Sequence, residues 1–324
     1  MLVSVLLFAV GLVLLIKCGD WFVDGATGIA KRFNLPDIVV GATVVSIGTT
    51  LPEVMVSTTG ALAGSGAMAY GNAIGSIICN TALIAAISIT CNPGPVNVKS
   101  MKTPAVFFFM SAALYCFASY ILGEFPRWMG FVMLGIFVVY MVLTVRNGMA
   151  NPDAAEEEEE GEQKERKLWQ ELLLLVVGAA VIAVGADLLV EHGQVIALGL
   201  GVPETVVALL FVALGTSLPE LVTTITSLRS GHASLGVGNV IGANVFNLVL
   251  VSGVAVSLAP FPVPMENELL NTGLNMSLVF EIPVMLGVMS LMIFPALATK
   301  KLGRWQGIAL LCIYAAFCVC HFVL

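Results

Sequence analysis

Charge is what this sequence has least of. Only 11% of its 324 residues are Asp, Glu, Lys or Arg, against about 25% in ordinary soluble domains. Basic residues number 14 against 21 acids, too few to build the positive face that nucleic acid requires. Catalytic signatures are missing as well: there is no H-E-x-x-H, no phosphate-binding loop and no nucleophile–base pair, so an enzyme is not expected. The seven cysteines lie mostly inside apolar runs without C-x₂-C spacing, which leaves them as small apolar fillers rather than metal or redox groups. No basic segment precedes the first apolar run and no small-residue cleavage site follows it, so that run is expected to be a retained helix.

What is abundant is hydrocarbon: 58% of residues are hydrophobic and the mean hydropathy is +0.99. Runs long enough to cross a hydrocarbon core of about 30 Å recur along the chain. Ten can be drawn, near residues 2–23, 36–61, 67–90, 104–122, 127–145, 169–190, 203–228, 234–258, 274–298 and 305–324. Backbone N–H and C=O groups find no water in lipid, so runs of this length must be helices. The expected fold is an all-α integral membrane protein with ten transmembrane helices.

The net charge of −7 has a local source. Asp153, Glu156 to Glu160, Glu162 and Glu165 crowd a segment without apolar period, and a run of like charge stays solvated. The expected organisation is therefore a first unit over 1–148, an acidic linker over 149–168 and a second unit over 169–324. Twelve of the 14 basic residues (Lys31, Arg32, Lys99, Lys102, Arg146, Lys164, Arg166, Lys167, Arg229, Lys300, Lys301 and Arg304) fall in loops after odd-numbered helices, while Arg127 alone falls on the opposite side. The positive-inside rule then puts the linker in the cytoplasm and both termini outside.

The second half repeats the first without gaps at a shift of 167 residues, the separation of Glu53 and Glu220. Gly11 falls on Gly178, Asp20 on Asp187, Pro36 on Pro203, and Gly48-Thr49-Thr50-Leu51-Pro52-Glu53 on Gly215-Thr216-Ser217-Leu218-Pro219-Glu220. Gly71-Asn72 falls on Gly238-Asn239, and Asn80 on Asn247. Five helices per half is an odd number, so the halves are expected to be inverted. Inverted halves are the layout of many secondary transporters, with the substrate site near the bilayer midplane.

Each copy sets a glutamate, Glu53 or Glu220, deep in an apolar run, where a charge costs about 2.5–3.5 kcal/mol on insertion scales. The preceding Pro52 and Pro219 lack an N–H, which is expected to open the helix and free the carbonyls of Gly48 and Gly215. Thr49 and Thr50 share a face with Glu53, as Thr216 and Ser217 do with Glu220. Ser76, Asn80 and Asn247 on the following helices are further candidate ligands, and Asn72 and Asn239 are candidates for interhelical bonding. These donors are all oxygens, a set suited to Ca²⁺ or Na⁺ and poorly suited to soft metals. Gly71 and Gly75, like Gly238 and Gly242, sit four apart, a spacing that admits close helix approach.

This pattern resembles the cation/Ca²⁺ exchanger superfamily, specifically the prokaryotic sodium/calcium exchangers. Their paired repeats read G-T-S-L-P-E and then G-N-x-x-G-S-N-x-x-N or -D. The resemblance implies exchange of Ca²⁺ for Na⁺, no cofactor, no obligate protein partner and residence in a prokaryotic plasma membrane. It implies Glu53 and Glu220 as central Ca²⁺ ligands, with Thr49, Thr50, Thr216, Ser217, Ser76, Asn80 and Asn247 around them, and helices 1 and 6 as the sliding parts. The chain departs from the pattern at Ile77, in place of Asn, at Ala243, in place of Ser, and at Asn247, where Asp is frequent. Coupling to H⁺ or K⁺ stays open, with a cation channel as a remoter alternative. Asp20, Asp24, Asp187 and Glu191 read as interface anchors and Glu281 as a mouth-lining or helix-end acid, while His192, His232 and His321 receive no role.

Overall fold

The computed structural model describes residues 2–150, 166–200, 215–264 and 275–323. Its helices are α1 (Leu2–Arg32), α2 (Asp37–Leu62), α3 (Gly66–Cys91), α4 (Val98–Leu122), α5 (Arg127–Met149), α6 (Leu168–Gly199), α7 (Leu218–Arg229), α8 (Ala233–Leu258), α9 (Ser277–Thr299) and α10 (Arg304–Val323). Among the described residues eight of these, all but α7 and α10, are long and apolar enough to cross a membrane. Much of the expected seventh span, Pro203 included, and the linker acids between 151 and 165 lie outside the described residues.

α1 and α6 exceed their expected lengths, at 31 and 32 residues. At 1.5 Å per residue each is roughly 47 Å long, well beyond a hydrocarbon core. Asp20 and Asp24 therefore do not mark the end of α1, which continues eight residues past Asp24 to Arg32. The two helices lie antiparallel with backbones almost touching. A Cβ on Gly11 would stand 2.8 Å from the Gly185 carbonyl oxygen and 3.1 Å from the Leu189 nitrogen, and one on Gly178 would stand 3.0 Å from the Phe22 nitrogen. Gly11 and Gly178 are repeat mates, and so are Phe22 and Leu189, so one contact occurs twice with the partners exchanged.

Among the described residues five helices carry a π-turn: Gly41–Val45 in α2, Asn80–Ala85 in α3, Phe117–Leu122 in α4, Asn247–Val251 in α8 and Ser277–Glu281 in α9. Each widens the helix and shifts carbonyls out of the usual i→i−4 ladder, a distortion common at functional sites. Serine hydroxyls tie off two of them, Ser46 Oγ donating to the Gly41 carbonyl at 2.8 Å and Ser252 Oγ to the Asn247 carbonyl at 2.9 Å. The proline expectation needs correction in one half only. α2 continues through Pro52 as α-helix, and its departure from α geometry lies two turns earlier. In the second half the expected opening is present: Gly215 is helical, Thr216 and Ser217 form a turn, and α7 starts at Leu218 with Pro219 in its first turn.

α2 and α8 cross at very close range. A Cβ on Gly41 would lie 2.2 Å from the Leu235 carbonyl oxygen, one on Gly238 2.3 Å from that of Ile38, and one on Gly242 2.4 Å from Ser46 Oγ. Small residues permit this approach, which buried packing and hydrogen bonds then stabilise.

Among the described residues four two-residue strands, absent from the all-helical expectation, join the loops: β1 (Gly94–Pro95) pairs with β4 (Lys301–Leu302), and β2 (Glu124–Phe125) with β3 (Phe261–Pro262). The Val96 N–H donates to the Lys300 carbonyl at 3.0 Å and the Val263 N–H to that of Gly123 at 2.9 Å. Val96 and Val263 are again repeat mates, and both acceptors are left-handed, with φ of 56° at Lys300 and 71° at Gly123. Glycine holds that conformation without strain, whereas lysine carries a steric cost.

The ends of the bundle differ in chemistry. One end bears β1 and β4 together with three ion pairs: Arg32 Nε to Glu171 at 3.0 Å, Arg166 to Asp24 at 3.0 Å, and His232 Nδ1 to Asp37 at 2.5 Å. The other bears β2 and β3 over packed rings, with centroids 4.7 Å apart for Tyr115 and Phe125 and 5.4 Å for Phe125 and Phe261.

Candidate cation site

α2, α3, α7 and α8 converge at mid-bundle and carry nearly every residue singled out by the repeat. Glu53 and Glu220 are both fully buried, and they lie close enough for their charges to act on each other. Thr49 and Thr50 are buried beside Glu220; Ser217, Ser76, Asn80 and Asn247 are buried on the same four helices, and Thr216 is half-buried. Among the described residues no Lys or Arg side chain is buried, so no protein cation offsets the two acids. Leaving them ionised without a counter-charge would cost several kcal/mol each, on the order given by burial of unpaired ions.

The hydroxyls are arranged crosswise. Sequence placed Thr49 and Thr50 on the face of Glu53, but both stand beside Glu220, and Thr50 Oγ1 donates to Glu220 Oε1 at 3.4 Å. Thr49 Oγ1 donates to Asn239 Oδ1 at 3.1 Å, and Thr216 Oγ1 donates to Asn72 Oδ1 at 3.3 Å. These last two bonds are repeat mates. Asn72 Nδ2 also donates to Ser57 Oγ at 2.8 Å, and Ser46 Oγ donates to the Asn239 carbonyl at 2.9 Å. The motif asparagines thus fasten one half to the other, the interhelical role given to them as candidates.

Several buried atoms at the centre make no hydrogen bond: both oxygens of Glu53, Oε2 of Glu220, Ser217 Oγ, and the side-chain oxygen and nitrogen of both Asn80 and Asn247. A buried polar atom without a partner costs about 1–3 kcal/mol, so this concentration marks a place built to contact something else. The oxygens are carboxylate, amide and hydroxyl, hard donors that suit Ca²⁺ or Na⁺. Among the described residues no group of three His, Cys, Asp or Glu stands together as a soft-metal site would require.

Asn80 and Asn247 each open a π-turn, at Asn80–Ala85 and Asn247–Val251. These π-turns are a feature the sequence gave no means of anticipating. Gly48 and Gly215 occupy another kind of position. A Cβ on Gly48 would stand 3.1 Å from the ring of Phe22 on α1, and one on Gly215 3.0 Å from Val190 Cγ2 on α6, so each seats the long helix of its own half. Missed by sequence were Thr81 and Asn244, next to the two asparagines. Asn244 Nδ2 donates to Thr81 Oγ1 at 2.7 Å and both approach Met289 Sδ, at 3.2 and 3.1 Å. Their polarity inside apolar runs was the available signal. His232 takes a structural place against Asp37.

Comparison with known proteins agrees with this constellation. The family model described as sodium/calcium exchanger protein matches residues 3–146 and 171–323. An uncharacterised membrane protein of Methanocaldococcus jannaschii is 34% identical, covering 95% of this chain and 94% of its own. The sodium/calcium exchanger MaX1 of Methanosarcina acetivorans is 30% identical, covering 99% of both chains. A solved structure of the sodium-calcium exchanger NCX_Mj, soaked with Na⁺ and Sr²⁺, superposes with a TM-score of 0.78 at 31% identity over 97% of both chains. Matched along nearly its whole length, the chain belongs to the sodium/calcium exchanger family, whose members are membrane transporters and not enzymes.

Proposed function

We propose that this chain exchanges Ca²⁺ for Na⁺ by alternating access, at one midplane site centred on Glu53 and Glu220. The observation that carries the proposal is a pair of fully buried carboxylates from repeat-related positions, within reach of each other and ringed by hydroxyl and amide oxygens without a buried Lys or Arg. Ca²⁺ or a set of Na⁺ ions neutralises the pair. An empty site would carry two negative charges through a low-dielectric core, so reorientation is restricted to the loaded states and obligatory exchange follows. Glu53 and Glu220 are the central Ca²⁺ ligands. Thr49, Thr50, Thr216, Ser217, Ser76, Asn80 and Asn247 complete the Na⁺ and Ca²⁺ coordination, and the carbonyls of Gly48 and Gly215 face it.

The halves, 1–148 and 169–324 around the linker 149–168, are inverted repeats of five helices each. Support comes from antiparallel α1 and α6, from the exchanged contacts Gly11 with Leu189 and Gly178 with Phe22, and from two family-model matches, one on each half. The end holding the ion pairs faces the cytoplasm of a prokaryotic cell, because eleven of the basic residues among the described residues belong to it and only Arg127 to the other. Both termini are then outside. α1 and α6, which touch through their glycines, are the pair that slides to expose the site to one face and then the other.

The test is uptake of radiolabelled Ca²⁺ into proteoliposomes, driven by an outward Na⁺ gradient, with K⁺ and H⁺ gradients imposed separately. Uptake should require Na⁺ and vanish in Glu53→Gln and in Glu220→Gln. Full exchange by either variant would remove that residue from the site, and uptake driven equally by H⁺ without Na⁺ would replace the coupling ion.

A further inference from the structure

α1 and α6 carry charge on the faces they turn away from the protein. On α1, Lys17 is exposed and Asp20 and Asp24 are half-buried, in one stripe with the exposed Ile16 and Trp21. On α6, Asp187 and Glu191 are exposed, in one stripe with the exposed Val184 and Val195. Asp24 is paired with Arg166, whereas among the described residues Lys17, Asp20, Asp187 and Glu191 belong to no ion pair. Asp20 and Asp187 are repeat mates on antiparallel helices, so the two stripes run in from opposite ends of the bundle. Their apolar members belong against lipid rather than along a water-filled path.

The depth of these charges follows from the helix contacts. Gly11 meets Leu189 and Gly178 meets Phe22, and in that register Asp187 stands level with Val13 of α1, seven residues before Asp20. At 1.5 Å per residue the levels of the two acids are about 10 Å apart along the helices, against about 30 Å for an undisturbed hydrocarbon core. Lys17 is the central residue of Leu2–Arg32. With α1 centred on the core, Asp20 would lie about 10 Å inside the boundary, whether the helix stands upright or tilts by about 40°. An ionised group at that depth is strongly disfavoured in a flat bilayer, and relief comes from snorkelling, local thinning and water. Aspartate is too short to snorkel so far, which leaves thinning. A headgroup layer supplies what each stripe lacks: ammonium groups and water for the acids, and phosphate oxygens for Lys17.

We propose that the outward faces of α1 and α6 bind phospholipid headgroups drawn in from the two leaflets, around Lys17 and Asp20 on one side and Asp187 and Glu191 on the other, so that the bilayer is thinned along this helix pair. The probe is a nitroxide on Ile16→Cys in a background lacking the native cysteines, with the full chain in vesicles of phosphatidylethanolamine and phosphatidylcholine. Val138→Cys, at the exposed central residue of α5, is the reference for undisturbed hydrocarbon. Collision with a water-soluble nickel chelate, measured against oxygen, should be several-fold higher at position 16 than at position 138. Lengthening the acyl chains from myristoleoyl to erucoyl should lower it at position 16, because a thicker bilayer is harder to indent. Lys17→Leu, Asp20→Leu, Asp187→Leu and Glu191→Leu together should bring position 16 down to the level of position 138. The proposal is overturned if the two positions are equal with the native charges present, if chain length leaves position 16 unchanged, as a water-filled path would, or if the leucine variant keeps its accessibility. The central-site proposal fails by a different readout, Ca²⁺ flux through the glutamate variants, so the two failures are distinguishable.

Discussion

Gly238→Ala is the smallest change that should separate close helix packing from ion chemistry. The added methyl would lie 2.3 Å from the Ile38 carbonyl oxygen and 2.8 Å from the Ile38 Cα, where contacts between heavy atoms normally settle near 3.5 Å. The obstacle is backbone on both sides, so α2 and α8 must separate by about 1 Å rather than rotate a side chain away. Asn239 is the next residue, and its bond from Thr49 is already 3.1 Å. A further ångström takes it beyond hydrogen-bond range. Overpacking of this kind costs about 1–3 kcal/mol, a fall of roughly 2–4 °C in melting temperature per kcal/mol for a chain of this size class. The assay pairs thermal unfolding in detergent with Na⁺-driven Ca²⁺ uptake, and uptake should fall further than the stability loss explains. Gly135→Ala on α5 is the control, since its Cβ meets nothing within 4 Å and alanine is the better helix former. Wild-type melting and wild-type flux in Gly238→Ala would refute the argument.

Three more perturbations probe other contacts. Asn239→Ala deprives the Thr49 and Ser46 hydroxyls of an acceptor and should cut Na⁺-driven Ca²⁺ uptake about tenfold or more while the protein still elutes as a folded species; unchanged uptake would show that the bridge is dispensable. Pro95→Cys with Lys301→Cys, in a background lacking the native cysteines, should form a disulfide because the two are direct antiparallel partners; after cleavage at a protease site inserted into 151–165, fragments that separate without reductant would contradict the pairing. Arg32→Gln leaves the Glu171 carboxylate, 7% exposed, without its partner and should cost about 1 kcal/mol, recovered in part by adding Glu171→Gln; equal melting of all three proteins would mean the pair contributes nothing.

The sequence carried the coarse architecture because lipid restricts the alternatives so strongly. Long apolar runs must be helices, and the two glutamates were visible as polar residues where polarity is costly. Pairing across the halves was less accessible. The 167-residue shift identifies Thr49 with Thr216 and Asn72 with Asn239, but it does not say that Thr49 bonds Asn239 rather than Asn72, or that Thr50 reaches Glu220 rather than Glu53. Those choices follow from the approach of α2 to α8 at Gly238 and Gly242, a spacing that also serves ordinary packing. Pro52 misled for a local reason. Its missing N–H and ring clash suggest a break at that position, yet α2 absorbs its irregularity at Gly41–Val45 and runs straight through. The π-turns at Asn80 and Asn247 had no signature in composition or period, since a widened turn uses the same apolar residues as an ordinary one.

Comparing which contacts are duplicated with which are not separates the chain's features by purpose. Contacts that occur twice lie at the centre, along α1 and α6, and in the strand pairs that close each end: Thr49 with Asn239 and Thr216 with Asn72, Gly11 with Leu189 and Gly178 with Phe22, and Val96 with Lys300 and Val263 with Gly123. An exchanger whose two faces are to be reached by one motion needs such pairs, because each contact made in one orientation must have an equivalent in the other. Contacts that occur once lie at the ends. Under the same shift Glu171 falls on Ser4 and Arg32 on Gly199, so no second Arg–Glu pair can form, and the aromatic cover of Tyr70, Tyr115 and Phe125 has no counterpart among the ion pairs opposite it. Salt screens partly exposed ion pairs and leaves ring packing largely untouched. The two ends of the bundle are therefore held by forces of different kinds, ion pairing at one and ring packing at the other.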